Sequence, residues 1–105
     1  MIWQRMHLSA QAIYNKVRGL NPWPGAYTKL NGKILKIWGT EIGKNDKNIE
    51  LKPGEIVEVT SEDIVVGTGE GQIIITELQP AGKKKMETAA FLRGHHIQKG
   101  EILGE

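Results

Sequence analysis

The sequence predicts a small mainly-β domain: a closed or half-closed barrel of five or six short strands, with one helix before it and a short helix after it. Three observations carry this. Short runs rich in Ile, Val and Thr recur from Ala26 to Leu78. Clusters of Gly, Asn, Pro and Asp separate them at hairpin spacing. The helical period of three to four residues is confined to the two ends.

The first helix starts at Ser9, whose hydroxyl suits it to accept an orphan N–H as an N-cap. Leu8 and Ile13 have the spacing of a hydrophobic staple. Ala10, Ile13, Val17 and Leu20 form one apolar stripe, and Gln11, Asn15, Lys16 and Arg18 lie mostly on the other side. Gly19 and then Pro22 are expected to end it. In Asn21-Pro22-Trp23-Pro24-Gly25 the two prolines fix φ and hold the residues before them extended. Gly25 then permits a change of direction.

Strands follow. Ala26 to Leu30 and Lys33 to Ile42 flank Asn31-Gly32, a strong hairpin signal. Lys44 to Asn48 reads as a polar loop. Lys52-Pro53-Gly54-Glu55 turns into Ile56 to Val59, and Ser61-Glu62-Asp63 turns into Ile64 to Val66. Gly67 to Gly71 turns into Gln72 to Leu78. Pro80 to Lys85 reads as a basic loop, and Met86 to Arg93 as a short helix with Gly94 as its left-handed cap. The chain, residues 1–105, is read as one domain with no internal linker or repeat.

Composition narrows the function classes. A chain of 105 residues suits one modest core, and 25% charged residues suit a domain in water. No apolar run is long enough to cross a bilayer as a helix, and the N-terminus lacks the apolar core of a signal peptide. Without cysteine there is no disulfide framework and no thiolate ligand or nucleophile. A cytoplasmic setting is the expectation. The net charge of +2 permits a nucleic-acid partner without requiring one. Lysines crowd into Lys29 to Lys52 and Lys83 to Lys85, while acids gather in Glu55 to Glu77.

Each chemical motif has a plainer reading beside it. Gly67-Thr68-Gly69-Glu70-Gly71 has the wrong spacing for a dinucleotide fingerprint, and a strand follows it where a phosphate loop needs a helix. Turn chemistry favours a hairpin. His95 and His96 are adjacent, and on a strand they would point to opposite faces, so no metal site is expected. No serine–histidine–carboxylate constellation is recognisable. Lys83-Lys84-Lys85 is either a solvated loop or a set of phosphate contacts, and Lys33, Lys36, Lys44 and Lys47 pose the same choice. Alternation turns Lys36 outward. Trp23, Tyr27 and Trp38 are either core and rim residues or platforms for stacked bases.

The segment Asn21 to Thr28 resembles the hallmark of the C-terminal domain of methionyl-tRNA formyltransferases. Ile2-Trp3, Ser9-Ala10 and Ile13 to Arg18 resemble the helix leading into that domain. Asn31 to Trp38 resembles its next hairpin, and Gly67 to Gly71 a later one. Leu78 to Met86 and Phe91 to Gly94 resemble its closing loop and helix. The resemblance runs in order along nearly the whole chain.

It implies an OB-like barrel without catalytic residues or a cofactor of its own, in a chain that is a fragment of a longer enzyme. In that family a preceding domain transfers a formyl group from 10-formyltetrahydrofolate to the methionine of initiator tRNA. The implied partners are initiator methionyl-tRNA and that N-terminal catalytic domain. A monomer is expected. Related C-terminal domains occur in amino-sugar formyltransferases and 10-formyltetrahydrofolate dehydrogenases, which do not use tRNA. The strand Lys33 to Trp38 and the segment Leu78 to Met86 favour the tRNA enzyme. The candidate phosphate contacts are Arg18, Lys29, Lys33, Lys36, Lys44, Lys47, Lys83, Lys84, Lys85 and Arg93, chosen on charge and loop position. Asn21, Pro22, Trp23, Pro24 and Gly25 are assigned to structure. If that assignment holds, Trp23→Ala costs about 3–5 kcal/mol, as loss of a buried Trp does. Thermal denaturation checks it, and an unchanged melting temperature would refute the turn assignment.

Overall fold

The computed structural model describes residues 8–21, 25–44 and 52–104 of the chain. Pro22, Trp23, Pro24 and Lys47 lie outside the described residues, as do Ile2, Trp3 and His7.

Helix α1 spans Ala10–Leu20, and the Ser9 side chain accepts from the Ala12 N–H at 3.2 Å as its cap. Ala10, Ile13 and Val17 bury the predicted stripe. The end differs from expectation. Gly19 lies inside the helix, and the chain leaves at an extended Asn21. The Asn21 amide donates to the carbonyls of Val17 (2.8 Å) and Ile37 (3.0 Å). A side chain thus does the terminating that a left-handed glycine does elsewhere, and ties the helix end to a strand.

The strands are β1 (Ala26–Leu30), β2 (Lys33–Ile42), β3 (Ile56–Val59), β4 (Ile64–Gly67), β5 (Gln72–Pro80) and β6 (Met86–Glu87), followed by α2 (Thr88–Gly94). All pairings are antiparallel, in the order β1-β2-β5-β4-β3, with β6 on β5. Asn31 and Gly32 both take positive φ, +53° and +78°, as a two-residue hairpin requires. The closing helix is shorter than expected. Met86 and Glu87 pair with β5, and α2 starts at Thr88, whose hydroxyl donates to the Ile75 carbonyl at 2.9 Å. Gly94 belongs to α2 and is not a left-handed cap; the cap is an extended His95.

Strand pairing does not close the sheet, so the architecture is mainly β and half-closed. Its edges are β1 and β3. The C-terminal tail lies between them. Gly100 and Leu103 donate to Ile56 and Gly54 on the β3 side, and Gly104 donates to Lys29 of β1. Leu103 is buried in the same core as Ile37, Ile56, Ile75 and Leu78. The tail satisfies edge groups that would otherwise stand open.

The glycine-rich segment turns β4 into β5 and carries α1. The Thr68 hydroxyl contacts the carbonyl oxygens of Gly71 and Glu70 at 2.7 and 2.8 Å. Gly69 donates to the Leu8 carbonyl, and Ala10 donates to the Glu70 carbonyl. No helix of the described residues is long and apolar enough to cross a membrane.

Leu103→Ala is expected to destabilise the chain by about 2–4 kcal/mol, through the smaller side chain and the opened seam. Urea unfolding with an unchanged midpoint would show that the tail does not seal the core.

Candidate nucleic-acid interface

The outer face of β1, β2 and β5 carries a cross-strand row. Tyr27 pairs with Lys36, and Lys36 with Gln79. Residues directly opposite in an antiparallel sheet share a face. The neighbours on the other face, Ala26, Thr28, Leu35, Ile37 and Leu78, are buried, so burial of the core turns this row outward.

Trp38 follows Lys36 on the outer face, just before a bulge at Gly39. Its indole N–H donates to Gln79 Oε1 at 2.9 Å, and Gln79 Nε2 donates to the Lys83 carbonyl at 2.8 Å. One amide thus pins the basic loop to the tryptophan. The Lys36 ammonium lies 4.2 Å from the Trp38 ring centroid and 5.7 Å from that of Tyr27. The Lys85 ammonium lies 5.0 Å from Trp38. Such contacts restrain an ammonium without neutralising it. Glu77 Oε2 approaches Lys85 to 3.9 Å, but with side chains 44% and 51% exposed this pair contributes little.

Gly25 explains how Lys36 reaches this position. Its φ is +96°, and a Cβ there would stand 2.8 Å from Lys36 Cε and 3.1 Å from Tyr27 Cε2. The lysine stem lies on bare backbone. Asn21, at the start of the same motif, donates to Ile37, between Lys36 and Trp38 in β2. Both described ends of the proline motif therefore brace this cluster.

The other expected contacts are distributed differently. Lys84 is exposed in the same loop as Lys83 and Lys85. Lys29 shares the outer parity of Tyr27 and is half-buried. Lys33, at the β1–β2 turn, meets Lys83 at a cleft. Arg18 lies on α1 with its guanidinium 5.3 Å from the Tyr14 ring centroid. Arg93 is exposed in the last turn of α2. Lys44 lies past the far end of β2, roughly 25 Å of strand from Lys36. Among the described residues, no group of three or more His, Cys, Asp or Glu side chains converges as a metal site. Gln79, which organises the cluster, has no charge to mark it and enters the sequence reading only as part of the family-like segment Leu78 to Met86. Its role follows from its register opposite Lys36.

The model for the formyl transferase C-terminal domain matches residues 3–96. The chain belongs to this formyl transferase C-terminal domain family. It is 48% identical over 103 residues to a methionyl-tRNA formyltransferase of Bacillus subtilis, covering 97% of this chain and 31% of that protein. It is 50% identical over 97 residues to one from Desulforamulus reducens, covering 92% of this chain and 30% of that protein. The chain thus spans about three-tenths of the length of the curated relatives it matches. In this formyl transferase C-terminal domain, the fold brings Asn21, Gly25 and Tyr27 of one family-like segment and Gln79 and Lys85 of another together around Lys36 and Trp38.

Gly25→Ala is expected to cost about 1–3 kcal/mol in backbone strain and to displace Lys36 from Trp38. Gln79→Ala is expected to cost about 1 kcal/mol and to shift the Trp38 indole N–H resonance toward that of a solvated indole. Thermal melts and ¹H–¹⁵N spectra read both; unmoved indole signals would refute the bracing.

Proposed function

We propose that this chain is a tRNA-binding domain of a methionyl-tRNA formyltransferase, non-catalytic by itself. In this reading it holds initiator methionyl-tRNA by its phosphates while a separate N-terminal domain transfers the formyl group from 10-formyltetrahydrofolate. The observation that carries the reading is the Trp38 cluster, where Lys36 and Lys85 gather at one indole and Gln79 fixes the loop bearing Lys83 to Lys85. Family membership and the named relatives support the enzyme class.

The physical role follows from phosphate chemistry. Lysine ammonium groups release counterions from the RNA backbone, and this term supplies affinity without reading sequence. Cations fixed on a rigid sheet orient the RNA, so the reacting end is presented rather than found by diffusion. Tyr27 and Trp38 add ring surface next to those charges. The chain, on this account, contributes position, and the formyl donor is handled elsewhere in the enzyme.

Titration of labelled initiator tRNA with this chain at low and near-physiological salt tests the reading. Saturable binding that weakens steeply with salt is expected. The log–log slope should become shallower by about 0.7–0.9 for each phosphate that a substituted lysine ceases to neutralise. Combined Lys83→Glu, Lys84→Glu and Lys85→Glu is expected to weaken binding at least about tenfold. Absence of binding even at low salt would overturn the reading in favour of a non-tRNA formyltransferase domain.

A further inference from the structure

A cleft of about 450 Å³ opens between the tip of the β1–β2 hairpin, the loop after β5 and the segment after α2. That volume lies within the roughly 300–1,000 Å³ of small-ligand pockets. Its floor is apolar, built from Leu30, Leu35, Pro80 and Phe91. Its lip is cationic, with Lys33 arriving from the hairpin turn and Lys83 from the basic loop. Among the described residues, no Asp or Glu lines it. One wall is a pair of stacked rings: His95 lies on Phe91 with centroids 4.1 Å apart and planes 13° apart. The His95 Nδ1 is 3.0 Å from the Phe91 carbonyl oxygen, which fixes the ring in place.

An apolar floor, an aromatic wall and a cationic lip suit a ligand that is flat and apolar at one end and anionic at the other. A nucleotide has that form. Only an unpaired nucleotide can turn its base out of the stack and into a slot at modest cost. An apolar peptide would leave the lysines unmatched, and a bare anion would leave the floor unfilled. We infer that this cleft receives one unpaired nucleotide of the bound RNA, its base against the exposed His95 ring that Phe91 backs, and its phosphate between Lys33 and Lys83. The inference rests on the RNA-binding reading above and adds a second kind of contact to it. The basic loop serves both sites. Gln79 holds the Lys83 carbonyl on the Trp38 side, while Lys83 itself lines the cleft.

The test is a ¹H–¹⁵N titration of the 105-residue chain with uridine and adenosine 5′-monophosphates, and separately with inorganic phosphate at equal ionic strength. The nucleotides are expected to shift the amides of Ala81, Lys83, His96 and Ile97 saturably, and phosphate is not. Ala81→Trp, which fills the cleft from an exposed position, is expected to abolish those shifts. It should weaken tRNA binding roughly 5- to 150-fold, the contribution of one stacked base, while a fully paired RNA duplex binds as before. His96→Trp, also exposed and lining the cleft, replaces it if the first tryptophan lowers the melting temperature. Unmoved cleft amides, or an equal response to phosphate alone, overturn the inference. If the parent chain still binds tRNA in that case, only the nucleotide cleft is refuted. If the parent binds no tRNA at all, the RNA-binding reading falls, and the inference that rests on it falls too.

Discussion

The alternation of β2 about the core is the constraint on which the rest depends. Leu35 and Ile37 are buried on one side, so Lys36 and Trp38 must stand on the other. A slip of one residue would put the Lys36 ammonium among isoleucines, at a cost no surface contact could offset. Pairing with β1 and β5 on both sides removes the freedom to slip. The cation–aromatic cluster is therefore held by hydrophobic burial beneath it. Its own contacts, each worth about 0.5–1 kcal/mol at an exposed site, need only choose among rotamers.

Helix α1 is held in a similar way, by elements remote from it in the chain. It is pinned at its start by the Thr68–Gly71 turn, through Gly69 to Leu8 and Ala10 to Glu70. It is pinned at its end by Asn21 on Val17 and Ile37. The most phosphate-like stretch of the sequence is thus used to hold a helix. Structure and candidate site share Asn21.

A net charge of +2 describes the chain poorly, because partners respond to local potential. The fold brings Lys36 and Lys85 to one indole with Lys83 and Lys84 exposed in the adjoining loop, while Glu58 and Glu62 stand exposed on and beyond β3. Among the described residues, Glu77 reaches into this cluster through its half-exposed pairing with Lys85, and Glu87 stands opposite Glu77 across β5 and β6.

Much of this is legible in the sequence, wherever the deciding interaction is local. The Ser9 cap needs only a hydroxyl three residues before an N–H. The Asn31-Gly32 turn needs only two residues that tolerate positive φ. The runs Ala26–Leu30, Lys33–Ile42 and Ile56–Val59 carry their own period, and the structure keeps their limits. Family resemblance reaches further, since it marks the segments around Trp38 without any knowledge of pairing. What the sequence could not decide is whatever depends on partners distant in the chain. Gly19 and Gly94 look like helix ends because glycine is the local solution. The tertiary structure instead ends α1 with the Asn21 side chain, and His95 caps α2. The place of the tail between β1 and β3 is set by its hydrogen bonds to both sides. The choice of Lys36 and Lys85 from the candidate cations and the role of Gln79 follow from β2 meeting β5. That pairing is made by a shared core, and no single stretch of the chain contains it.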